Sequence, residues 1–222
     1  MPLLFSYDDI PLEANRLAPL VDQLVEKGWF VGEAFIEAEL CHALYREVMA
    51  LAEHDALADA GIGRGNQHNV RRDIRGDAIH WLDRESLPQR QYLDSMGLLQ
   101  RELNHALYLG LFEFEAHFAQ YPPGAFYKKH VDSFQGRANR VISTVLYLNP
   151  EWPEDGGGEM ALFEPADPER EVARVVPRAG TFACFLSETV PHEVLPTRLP
   201  RASIAGWFRR NASLNGRIDP AR

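Results

Sequence analysis

The spacing of apolar residues changes near residue 110. Before that point it is helical. Leu12, Leu17, Leu20, Val21, Leu24 and Val25 fall at intervals that predict a helix over 11–26, ended by Gly28. Trp29-Phe30-Val31 reads as a short strand. A second amphipathic helix is expected over 36–58, stopped by Gly61-Ile62-Gly63, and a third from about Pro88 to Leu109. Between the last two, residues 61–77 lack periodicity. They combine Gly61, Gly63, Gly65 and Gly76 with Arg64, Arg71, Arg72 and Arg75, which predicts a mobile loop.

Beyond residue 110 the apolar runs shorten, and Pro, Gly, Asn and Asp separate them. Strands are expected over 112–121, 125–131, 139–149, 158–163, 171–176, 181–186, 190–195 and 201–209. So many short strands at close spacing predict an antiparallel sandwich or barrel. With no repeat and no linker, residues 1–222 read as one α+β domain. Mainly helical support and the 61–77 loop occupy 1–110, and the β-core occupies 111–211. Gly156-Gly157-Gly158 lacks the strand-then-helix setting of a phosphate loop and reads as a turn.

Composition narrows the class. Apolar residues are 45% and charged residues 25%, an ordinary globular balance. The net charge of −9 argues against nucleic acid or an anionic membrane as a partner. The N-terminus has neither a basic n-region nor a long apolar stretch, so a secretory signal is not expected, and no run approaches a membrane span. Cys41 and Cys184 sit far apart in apolar surroundings, which fits two buried thiols in a reducing cytoplasm.

The chemistry is carried by a few positions. His130 and Asp132 flank Val131 at an expected strand end, and alternate strand residues share a face, so imidazole and carboxylate can reach one ion. His192 follows Pro191 at the start of another expected strand. Two histidines and one carboxylate suit non-haem iron(II) and leave three positions open, although zinc accepts the same ligands. Taken alone, His-x-Asp is a common surface pattern. Arg201 raises its weight. The segment 196–200 is expected to be a hairpin turn that sets Arg201 on the strand beside His192. Arg201, Ser203, Ala205 and Trp207 then share one face, and an arginine followed by two small residues leaves a slot for a carboxylate. Tyr147, on the run Val141, Ser143, Val145, Tyr147, either lines the same cavity or is a plain core tyrosine. Arg198 reads as a surface residue at the turn. His54, His68, His80, His105 and His117 have no carboxylate at strand spacing and are expected to tolerate substitution.

Several stretches together resemble the iron(II)- and 2-oxoglutarate-dependent oxygenases, and among them the hypoxia-inducible-factor prolyl hydroxylases, in particular their bacterial members. They are Tyr121-Pro122-Pro123-Gly124, Tyr127 through Asp132, Leu146 through Asn149, Gly157 through Phe163, Pro191 through Val194 and Arg201 through Trp207. Asp73-Ile74-Arg75-Gly76-Asp77 with Ile79-His80-Trp81 resembles the segment that meets substrate in those hydroxylases. The resemblance implies a double-stranded β-helix (jelly-roll) core with supporting helices. It implies iron(II) at His130, Asp132 and His192, and the distal carboxylate of 2-oxoglutarate at Arg201 and Tyr147. It also implies Tyr121 and Trp207 in the cosubstrate pocket, with Arg75, Asp77 and Arg140 beside the substrate channel.

The activity so implied is hydroxylation of a proline in a protein substrate, consuming O₂ and 2-oxoglutarate, releasing succinate and CO₂, and accepting ascorbate as reductant. The segment 61–77 would be the substrate lid, and a translation factor or ribosomal protein the expected target. Two rivals stand beside it: an oxygenase of a free amino acid or small metabolite, and a non-catalytic metal-binding sensing module.

Overall fold

The computed structural model describes residues 17–61, 71, 73–133 and 139–210. Among the described residues, three helices precede the main run of strands. Helix α1 (Leu17–Lys27) buries Leu17, Leu20 and Leu24, and Gly28 turns the chain after it with φ of 80°. Strand β1 spans Trp29–Gly32. Helix α2 (Ala38–Glu53) buries Leu40, Cys41, Leu44 and Val48. It stops short of the expected residue 58, because Asp55 adopts φ of 53° and breaks the helical path. The residues freed form a two-residue strand, β2 (Ala58–Asp59), beside β3 (Ala78–Trp81). Helix α3 (Leu87–Leu107) has Ser86 as its N-cap, whose hydroxyl accepts from the Gln89 amide at 3.2 Å, and ends at Tyr108 in the left-handed conformation.

All eight strands expected beyond residue 110 form: β4 (Leu111–Tyr121), β5 (Tyr127–His130), β6 (Arg140–Tyr147), β7 (Met160–Glu164), β8 (Asp167–Val175), β9 (Phe182–Leu186), β10 (His192–Val194) and β11 (Arg201–Arg210). They divide between a seven-stranded sheet of order β1-β9-β6-β11-β4-β3-β2 and a four-stranded sheet of order β5-β10-β7-β8. Every ladder is antiparallel. This is the jelly-roll core, with the helices on one side of the larger sheet.

Strand alternation sorts the side chains. On β11, Ala202, Ile204 and Phe208 join Phe118, Ile142 and Leu146 in a core shared with Leu20, Leu44, Tyr92 and Met96 of the helices. A second cluster, including Tyr147, Met160, Leu162, Ala183 and Phe185, joins residues of both sheets. Gly206 lies on the helix side, where an added Cβ would come within 2.4 Å of the Phe114 ring, so the ring occupies the space a side chain would need. Cys41 and Cys184 are buried free thiols; burial pushes the Cys41 thiol up to about 11. Among the described residues no helix is long and apolar enough to cross a membrane.

One connection departs from the sequence expectation. β10 and β11 are not a hairpin: β10 pairs with β5 and β7, whereas β11 pairs with β4 and β6. Residues 196–200 cross from one sheet to the other, and Thr197 forms an isolated bridge with Gly157. Pro196 and Pro200 at its ends lack ladder donors, which suits a crossover better than a tight turn.

Candidate active site

The ends of two paired strands bring the three expected ligands together. His130 closes β5, His192 opens β10, and the two are direct cross-strand partners. Asp132 follows β5 and turns back toward both. Its Oδ1 lies 3.4 Å from His130 Nε2 and its Oδ2 lies 3.8 Å from His192 Nε2. One donor atom from each residue falls within 4.8 Å of the others. Each imidazole is tied at the far nitrogen to a backbone carbonyl: His130 Nδ1 to Lys128 O at 2.7 Å and His192 Nδ1 to Val190 O at 3.2 Å. A carbonyl only accepts, so the proton sits on Nδ1 and the Nε2 lone pairs face the shared space. Burial, with His130 alongside, lowers the His192 pKa to about 4 and keeps it neutral. Burial alone would raise the Asp132 pKa, but His192, His130 and Arg140 hold it well below the usual carboxylate range. Two imidazoles and an anionic carboxylate, converging from one side, fit a divalent metal.

Asp132 is held in a way the sequence did not announce. Oδ2 accepts from Ser143 Oγ at 2.5 Å and from the Trp207 indole N–H at 2.9 Å. Ser143 Oγ lies 2.8 Å from the buried Ser187 Oγ. Oδ2 thus carries two donors, which leaves Oδ1 the better placed oxygen for an ion. Tyr127 stacks on His130 with ring centroids 3.7 Å apart, and Phe185 packs against His192 at 4.5 Å. Ser143 sits on a strand face the sequence did identify, but its partner Asp132 lies outside that strand.

Arg201 lies at the start of β11, 2% exposed, and faces the inter-sheet space as expected despite the lost hairpin. Its Nε donates to Gly158 O at 2.8 Å and its Nη1 to Ser203 Oγ at 3.3 Å. Tyr121 and Tyr147 flank the guanidinium, with ring centroids 4.7 and 4.9 Å away. Gly158, with φ of 69°, lets the backbone approach: a Cβ there would lie 3.0 Å from Arg201 Cδ. The Tyr147 hydroxyl is buried and has no hydrogen-bond partner among the described residues. Burial raises the pKa values of both tyrosines, so both hydroxyls remain donors. A buried cation beside an unmatched phenol is the arrangement a ligand carboxylate completes.

The expected substrate residues are distributed differently. Arg75 and Asp77 pair with each other, Nε to Oδ1 at 2.7 Å and Nη2 to Oδ2 at 2.5 Å, and Asp77 is 3% exposed. Arg75 also covers the Tyr127 ring at 4.6 Å. Backbone bonds from Lys128 N to Ile74 O and from Gly76 N to Phe126 O knit 74–76 to the β5 segment. This end of the expected mobile loop is therefore anchored to the core. The rest of the expected lid, 62–70 and 72, lies outside the described residues. Arg140 joins Glu115 at 2.9 and 2.8 Å and lies 3.6 Å over the Trp207 ring, so it forms part of the wall behind Asp132.

Comparison with known proteins agrees with this geometry. Residues 116–209 match the family model described as 2OG-Fe(II) oxygenase superfamily. A crystal structure of a Pseudomonas putida prolyl-4-hydroxylase is 44% identical, covering 87% of this chain and 99% of that one, with a TM-score of 0.81. The chain belongs to the 2OG-Fe(II) oxygenase superfamily. A Trichoplax adhaerens prolyl hydroxylase, solved in complex with a hypoxia-inducible-factor peptide fragment, is 26% identical over 88% of this chain and 89% of that one, with a TM-score of 0.77. The mouse prolyl 3-hydroxylase OGFOD1 is 34% identical over 86 residues, 36% of this chain and 15% of that protein. The chain thus spans a small part of that curated relative. As an oxygenase of this superfamily it uses iron(II) and 2-oxoglutarate, which favours iron over the zinc that the ligand types also accept.

Proposed function

We propose that this oxygenase is a prolyl hydroxylase acting on a proline within a protein substrate. The observation that carries the proposal is the extent of the similarity. Resemblance to the Pseudomonas putida prolyl-4-hydroxylase covers 87% of this chain and so reaches well outside the 116–209 match. A shared metal site alone would need no such agreement across the helices. The complex of the Trichoplax adhaerens enzyme with a peptide fragment supports a protein substrate here too.

In this reading His130, Asp132 and His192 hold iron(II), with Nε2 lone pairs and Oδ1 as ligand atoms. With iron(II) bound there, O₂ would be the oxidant: one oxygen atom would end in succinate as 2-oxoglutarate loses CO₂, the other in the hydroxylated C–H bond, with ascorbate as a supporting reductant. The chain contributes orientation. Arg201 takes the distal carboxylate in its fork, Tyr147 donates its otherwise unmatched hydroxyl, and Tyr121 closes the pocket over the guanidinium. Ser143 and Trp207 fix the Asp132 carboxylate. Arg75, Asp77 and Tyr127 form a rigid edge beside His130 where a peptide would pass. Proline suits such an edge, since its ring presents a fixed C–H bond with little side-chain freedom to lose.

The target is proposed to belong to the translation machinery, a factor or ribosomal protein, in a cytoplasmic setting. The test is intact-mass and peptide analysis of candidate proteins incubated with enzyme, iron(II), 2-oxoglutarate and O₂. The reading expects a gain of one oxygen atom on a proline. Modification only of a free amino acid or small metabolite would overturn it.

A further inference from the structure

Behind the metal ligands lies a buried ionic cluster that the chemistry described so far does not use. Arg209 on β11 and Arg140 on β6 are register partners on adjacent strands. Cations so opposed repel unless carboxylates intervene. Strand β4 supplies them. Arg209 Nη1 lies 3.1 Å from Glu113 and 2.9 Å from Glu115, and Glu115 also takes Arg140 Nε at 2.9 Å. Arg209 is 1% and Glu115 5% exposed, so two cations and two carboxylates balance in a largely dry site.

The cluster continues to the metal centre. The Arg140 guanidinium lies 3.6 Å over the Trp207 ring, and Trp207 donates its N–H to Asp132 Oδ2 at 2.9 Å. A fork gripped by a carboxylate on one side has a fixed plane. A fixed plane over an indole restrains that indole. The N–H that orients Asp132 is therefore aimed by a carboxylate on a different strand.

We propose that Glu115 is a positioning residue for the metal centre, acting through Arg140 and Trp207 on the Asp132 carboxylate. The inference rests on the metal site proposed above. It separates Glu115 from a purely structural ion pair by a definite path: its effect on metal affinity must pass through the Trp207 N–H.

The test is a double-mutant cycle read as Mn(II) dissociation constants of the full chain, with apo melting temperatures recorded alongside. Trp207→Phe, which keeps a ring but lacks the N–H, should weaken Mn(II) binding about tenfold, as loss of a group that orients a ligand commonly does. Glu115→Gln should weaken it about three- to tenfold. The double variant should bind no more weakly than Trp207→Phe alone, because residues on one path are not additive. Parental affinity in Glu115→Gln, or losses that multiply in the double variant, would overturn the proposal. If Glu115→Gln does not fold, Arg140→Lys takes its place in the cycle. It keeps the charge but not the plane, and the same non-additivity with Trp207→Phe is required. His130→Ala separates the two levels: if it binds Mn(II) like the parent, the metal site itself is wrong and this inference falls with it.

Discussion

The Trp207 indole N–H meets Asp132 Oδ2 at 2.9 Å across 75 residues of sequence, and Ser143 meets the same oxygen from another strand. Asp132 is thereby fixed by β6 and β11, while His130 and His192 are fixed by β5 and β10. The candidate site is held at the meeting of two sheets, and neither sheet alone contains it.

Removing a donor from Asp132 should therefore loosen the metal without unfolding the chain. Ser143→Ala should weaken Mn(II) or iron(II) binding about tenfold, and leave apo stability within about 1–2 kcal/mol of the parent. Metal titration beside thermal melting checks this. Unchanged affinity would mean that the Ser143 contact does not orient the carboxylate.

Arg201→Lys should weaken 2-oxoglutarate binding by roughly 1–3 kcal/mol, since a point charge cannot reproduce the fork. Tyr147→Phe should weaken it by a similar or smaller amount, because it removes a buried hydroxyl that faces Arg201 and has no partner among the described residues. Arg198→Lys should do little: its side chain is 72% exposed and stands 3.7 Å from Asp155. Equal losses at 198 and 201, measured by titration of the metal-loaded protein, would contradict the assignment.

His117 is a poor choice as a tolerant control, contrary to what its sequence context suggests. It is 2% exposed, packed edge-on against Trp81 at 5.1 Å and tilted against Trp207 at 5.4 Å. Burial lowers its pKa from 6.5 to about 4. With the folded-state value below the unfolded one, the unfolded chain binds the extra proton. The stability His117 contributes is then complete above about pH 6.5 and is lost as pH falls toward 4, by up to about 3 kcal/mol at 1.36 kcal/mol per unit. Urea unfolding across that window should show a steeper fall for the parent than for His117→Gln. Parallel curves would show that His117 does not titrate with folding.

The elements were legible where local rules decide them. Eight strands announced themselves as short apolar runs between turn residues, and His130, Asp132 and His192 stood at strand ends where alternation predicts a shared face. What could not be read was which strand lies beside which. The crossover at 196–200 resembled a hairpin because nothing local distinguishes a turn that stays in a sheet from one that leaves it. The face of Arg201 was legible even so, since it depends on alternation along β11 and not on the neighbour, although the strand beside it was not. Ser143, Trp207 and Glu115 acquire their roles from partners on other strands, and the loop arginines looked alike until Asp77 claimed Arg75.

The most direct measurement is succinate formed from 2-oxoglutarate by the parent and by His130→Ala, Asp132→Ala and His192→Ala, at equal iron(II) and O₂, each confirmed folded by its melting transition. A three-ligand site has no ligand to spare, so the parent should form succinate and each variant should form none above background. Succinate at near-parental rates from any two of the folded variants would contradict the assignment of the metal to these residues.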